Sequence, residues 1–90
     1  MTDKDNWPEW LKDADTRDAV VTIHKNGYVT WHGGTWKGGV WEGGLWKSGI
    51  WEDGLWYYGT WLSGLWLDGT WQDGLWINGI WKGGTWKYRT

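Results

Sequence analysis

Residues 64–79, GLWLDGTWQDGLWING, carry Trp66, Trp71 and Trp76 at intervals of five, each with a Gly two residues before it and three after it. The same spacing extends in both directions through Trp31, Trp36, Trp41, Trp46, Trp51, Trp56, Trp61, Trp66, Trp71, Trp76, Trp81 and Trp86. The unit is W-x-x-G-x, and only the last unit departs from it, with Arg89 in place of Gly. The residue before each Gly is Gly, Ser, Asp, Asn or Tyr, and the residue after it is Thr, Val, Leu or Ile. A helix is excluded by the 16 glycines, each costing about 1 kcal/mol in a helix interior. Each unit therefore reads as a three-residue strand, such as Thr70-Trp71-Gln72, and a two-residue turn, such as Asp73-Gly74. DG, NG and GG tolerate φ > 0 and are favoured in hairpins.

Pairing parity adds a constraint. In an antiparallel sheet, hydrogen-bonded and non-bonded pairs alternate along a strand. If every strand pairs with the next in sequence, successive joints must differ, and the structural repeat is ten residues. Leu45, Leu55, Leu65 and Leu75 do follow every second turn glycine, with Val40, Ile50, Thr60, Thr70 and Ile80 between them. Side chains alternate across a strand, so the central Trp residues all point to one face. Neither an exposed Trp face nor bare edge strands are tolerable. Closure into a shallow all-β barrel of about twelve short antiparallel strands removes both. Trp then fills a ring too wide for Leu. A pentad-repeat β-solenoid is the alternative. In it Gly and Trp, two apart, both face inward, but Leu45, Leu55 and Leu65 then face water.

The array over residues 31–90, with its G-x-W-x-x-G spacing and ten-residue hairpins, resembles the β-flower family. That resemblance implies a shallow barrel of radiating hairpins with a hydrophobic centre. It carries no settled activity.

Ahead of the array, residues 1–18 read as a helical lid or arm. Asn6 is the expected cap, Trp7-Pro8 fills the first turn, and Trp7, Trp10 and Leu11 share one face as far as about Asp13. Residues 19–34 read as a leading β-hairpin turning at Asn26-Gly27, with Lys25 facing Tyr28 and Thr22 facing Trp31. Residues 35–90 complete a single domain.

The composition narrows the chemistry. There are 14 Trp, no Phe and no Cys, and the net charge is −2. No disulfide or thiolate site is available, and the charge gives no pull toward nucleic acid. No signal peptide or membrane-spanning stretch is visible, which points to the cytoplasm. His24 and His32 lack the partners of a metal set, no phosphate loop is present, and no cofactor is indicated. The expected protein is not an enzyme. It is a binding module whose Trp ring, Trp31 to Trp86, lines an apolar pocket or channel for a hydrophobic or aromatic ligand. The alternative is a structural or interaction protein, a homo-oligomer held by an outer apolar belt of Leu55, Tyr57, Leu62, Leu65, Leu67 and Ile77.

Overall fold

A computed structural model describes residues 6–87. Residues 1–5 of the N-terminal segment, and Arg89 with its two neighbours, lie outside the described residues. A short helix α1 (Glu9–Lys12) leads into β1 (Asp15–Ile23) and β2 (Val29–Gly38). Two-residue strands follow, from β3 (Val40–Trp41) to β12 (Thr85–Trp86), each made of one residue and its Trp.

These strands do not pair with their neighbours in sequence. Every Trp strand pairs in parallel with the strand fifteen residues away: Trp31 with Trp46, Trp46 with Trp61, Trp61 with Trp76, and likewise from Trp36 and from Trp41. Three pentads make one coil, and twelve Trp make four coils. The expected closed antiparallel barrel is thus overturned. The chain is a three-sided β-solenoid, the architecture in which Gly and Trp both face inward.

The joints explain why. From Gly39 to Gly84 every turn glycine has φ between 108° and 134°, with no alternation between the joints before Leu and those before β-branched residues. Identical joints repeat one rotation and generate a helical coil. The parity constraint never applies, because sequential strands are not sheet neighbours. Nothing in the structure ties the Leu and β-branched alternation to a ten-residue unit. The Asp-Gly and Asn-Gly pairs serve a different purpose from the one expected. Oδ1 of Asp53, Asp68, Asp73 and Asn78 accepts the N–H of the following Gly at 2.7–2.8 Å.

Two backbone hydrogen bonds per pentad hold each coil on the one below. Leu62 N–H donates to Trp46 O and Leu65 N–H to Gly49 O, at 2.8 and 2.9 Å, and the pattern recurs along the array. Strands in such a ladder lie about 4.8 Å apart, which suits stacked aromatic rings. The indoles accordingly form three stacks, with centroids 4.6–5.0 Å apart and planes within 4–11° of parallel. Within a coil, successive indoles meet edge to face at 5.2–5.9 Å. Both geometries are favourable for aromatic quadrupoles.

The leading hairpin differs from expectation by one residue. Val21 faces Trp31, Thr22 faces Thr30 and Ile23 faces Val29. His24 N–H donates to Tyr28 O, and Gly27 N–H donates to His24 O, both at 2.8 Å. Gly27 has φ +87°. This is a three-residue loop ending on a left-handed Gly, not a two-residue turn at Asn26-Gly27. β1 continues along β2 as far as Asp15 opposite Gly38, with register shifts around Arg17 and Val20.

β1 covers the free edge of β2, and α1 packs at β3. Pro8, in extended conformation, takes the N-cap position of α1 rather than Asn6. Leu11 is fully buried and Trp7 nearly so. Trp10 meets Trp41 edge to face at 5.2 Å and Trp36 at 6.4 Å. The first coil is therefore covered. Deleting residues 1–13 should lower stability by about 3–5 kcal/mol, the scale of a buried aromatic and a Leu. It should also shift Trp emission to the red and raise iodide quenching. Unchanged melting and quenching would show that this cover contributes nothing.

Candidate functional site

The nine array Trp from Trp31 to Trp71 are 0% exposed, so they present no surface to a ligand. The ring with an open centre is replaced by three indole stacks in mutual contact, and no central channel runs between them. Trp66 Nε1 donates to Gly83 O at 3.0 Å. Nε1 of the other eight is buried without a hydrogen-bond partner, a cost that the packing of the stacks must offset. In the last coil Trp76 and Trp81 are half-buried, and Trp86 is 39% exposed. Only there do array indoles reach solvent, next to exposed Leu75, Ile77 and Ile80.

The expected outer belt is dispersed by the fifteen-residue coil. Leu62 and Ile77 flank the stack of Trp31, Leu65 and Leu67 that of Trp36, and Leu55 and Tyr57 that of Trp41. Each pair thus stands on a different face. Tyr57 and Ile77 are exposed, while Leu55, Leu62, Leu65 and Leu67 are half-buried. Leu45, Leu55 and Leu65 tolerate the outer surface because the coils above and below cover part of each side chain.

The two histidines are engaged across the leading hairpin. His24 Nε2 lies 2.9 Å from Thr30 Oγ1, and His32 Nε2 lies 2.9 Å from Thr22 Oγ1. Among the described residues no group of three or more His, Asp or Glu could hold a metal ion. Nor is any helix among them long and apolar enough to cross a membrane.

A feature that sequence reasoning missed lies on one edge of the solenoid. Two adjoining grooves, about 470 and 440 Å³, share Tyr28, Gly44 and Tyr58 in their walls. Glu42 lines the first and Asp73 the second. Tyr28, Gly43, Tyr58 and Asp73 stand fifteen residues apart in sequence, in step with the pairing of Thr30 with Leu45 and of Leu45 with Thr60. They form one vertical row. The signal was present in the sequence, but it becomes visible only once three pentads are known to make a coil.

No family model, curated protein or solved structure matches this chain. The β-flower resemblance thus rests on the Trp-rich repeat alone, and the shallow barrel it implied is not the fold observed.

Proposed function

We propose that this chain is a non-catalytic structural and interaction module, a rigid Trp-stacked rod that pairs with a second copy through its C-terminal coil. The observation that carries this reading is the contrast between the two ends of the stack. The first coil is covered by β1, α1 and Trp10, whereas Trp86 of the last coil is 39% exposed beside Leu75 and Ile80. The exposed indole surface of this coil has no aromatic partner beyond it among the described residues, and the same surface of a second copy is a match for it. One covered end restricts association to last coil on last coil, a two-fold contact that closes at the dimer and does not grow into a filament. This reading keeps self-association but moves it from the outer belt to the coil end.

The end face is small, so the expected dissociation constant is weak, on the order of 100 µM. Lys82 and Lys87 flank this coil in both copies, so added salt should strengthen the dimer by screening them. Sedimentation should show a mass that rises from monomer to dimer with concentration, and Trp86→Lys should abolish the rise. A monomeric mass at every concentration and salt would overturn the proposal.

A further inference from the structure

We infer that the notch over Gly43, between Tyr28 and Tyr58, is a binding site for an organic ammonium cation. This notch lies on the solenoid's edge and shares no lining residue with the dimer contact, which only the adjoining groove reaches, at Leu75. The row Tyr28, Gly43, Tyr58 places an aromatic ring one coil below and one coil above a residue with no side chain. Both rings reach solvent, with Tyr28 46% and Tyr58 57% exposed. Two steps of a parallel ladder span about 9.6 Å. A cation seated over Gly43 would then stand about 5 Å along the ladder from the level of each tyrosine, and both tyrosines line the groove that holds Gly43.

Charge selects the ligand class. Glu42 lines the groove beside Gly43, Asp73 lines the adjoining groove, and Asp13 lines a third next to Glu42. No Lys or Arg lines any of the three. Glu42 makes no ion pair among the described residues, where the salt bridge found is Lys12 to Glu9. Aromatic faces with an unneutralised carboxylate are complementary to a cation with an apolar body, such as an alkylated ammonium. They repel an anion. Tyr28 is also held in place. Its N–H donates to Asn26 Oδ1 at 3.0 Å, and its ring rests 5.8 Å from that of His24. Gly43 is a spacer and not a conformational requirement. Its φ is not positive, and a Cβ placed there meets only Tyr58 O, at 4.0 Å. The gap between the rings therefore follows from the missing side chain, and a larger residue would close it.

The test is an NMR titration of the labelled protein with choline, and with 3,3-dimethylbutan-1-ol, its uncharged analogue of the same shape. Choline should shift the amide signals of Gly43, Gly44 and Tyr58 saturably, and the neutral analogue should bind about tenfold more weakly. Gly43→Leu should remove binding while leaving the signals of the Trp stacks and the melting temperature in place. Tyr58→Ala should weaken binding about tenfold, and Glu42→Gln should weaken it and flatten its salt dependence. Phosphatidylcholine vesicles separate two sources of the same chemistry. Co-sedimentation assigns the cation to a lipid headgroup, and choline binding without it assigns it to a free solute. Either result supports an ammonium site. Equal binding of choline and its neutral analogue, preferential binding of a methyl glucoside, or unaltered choline binding by Gly43→Leu would each overturn the inference.

Discussion

Trp51→Ala is expected to destabilise the protein by about 5 kcal/mol or more, the upper end of the range for a buried Trp. Trp51 is fully buried. It stacks on Trp36 at 5.0 Å and on Trp66 at 4.7 Å, and meets Trp46 and Trp56 edge to face at 5.8 Å. Ala leaves a hole walled by four indoles, and the backbone ladders at each side keep the neighbouring coils from closing it. The loss also reaches beyond one contact. In a stacked repeat each coil is stabilised by the coils next to it, so a hole in the second coil uncouples the first from the third and fourth. Urea unfolding should show a lower midpoint and a broader or split transition. Trp86→Ala provides the comparison, since Trp86 is partly exposed and stacks on Trp71 alone among the array's columns. It should cost about 1–2 kcal/mol. Equal losses at Trp51 and Trp86 would contradict a core made of stacked coils.

How much of this was legible depends on which residue is asked. The Trp positions located the strands and their inward face, but each strand is two residues ending on its Trp, such as Thr70–Trp71, and not three residues centred on it. Trp31 to Trp71 are all buried on one side, because period five on a turn-interrupted strand leaves the helix no place. The sequence did not reveal the partner of each strand. Asp73-Gly74 and Asn78-Gly79 have the composition of hairpin turns. In this chain their side chains instead bond the Gly N–H, and the turn advances the coil. Adjacent strands in sequence usually pair in space, and a short pentad offers nothing local to signal fifteen over five. The column of identical Trp is what decides it. Parallel strands in register place like on like at the spacing of stacked rings, which a meander of alternating joints cannot do.

The candidate surfaces were hidden for the same reason. Tyr57 and Leu62 look like parts of one belt when the chain is folded in tens. Folded in fifteens, they stand on different faces. Tyr28 and Tyr58 look unrelated in sequence, since one closes a hairpin loop and the other precedes a turn glycine. The coil length puts them in one row with Gly43 between them. Each surface depends on a single integer, the number of pentads per coil, and that integer is set by the backbone angle at the glycines and not by any outward side chain.

That angle can be tested directly at Gly64. Its φ is +126°, and a Cβ built on it falls 2.5 Å from Gly49 O and 3.2 Å from Trp46 Nε1. Gly64→Ala therefore carries two penalties. The backbone region itself costs about 1–3 kcal/mol for a residue with a side chain. The clash then forces the third coil away from the second, which stretches the 2.9 Å bond from Leu65 N–H to Gly49 O and separates the rings of Trp46 and Trp61. A loss of about 3–5 kcal/mol follows in thermal or urea melts. Gly59 supplies the decisive comparison. It precedes Thr60 where Gly64 precedes Leu65, so in a ladder of hairpins the two joints would differ and the two substitutions would differ with them. In the solenoid they are the same joint. Gly59 has φ +134°, and its Cβ would fall 2.5 Å from Gly44 O and 3.1 Å from Trp41 Nε1. Gly59→Ala and Gly64→Ala should therefore cost the same within about 0.5 kcal/mol. Gly43→Ala, free of both penalties, should lie within about 0.5 kcal/mol of the unaltered protein. A large difference between Gly59→Ala and Gly64→Ala would restore the ten-residue unit and remove the three-sided coil. Equal and severe losses at both, beside a silent Gly43→Ala, are what a single repeated joint requires.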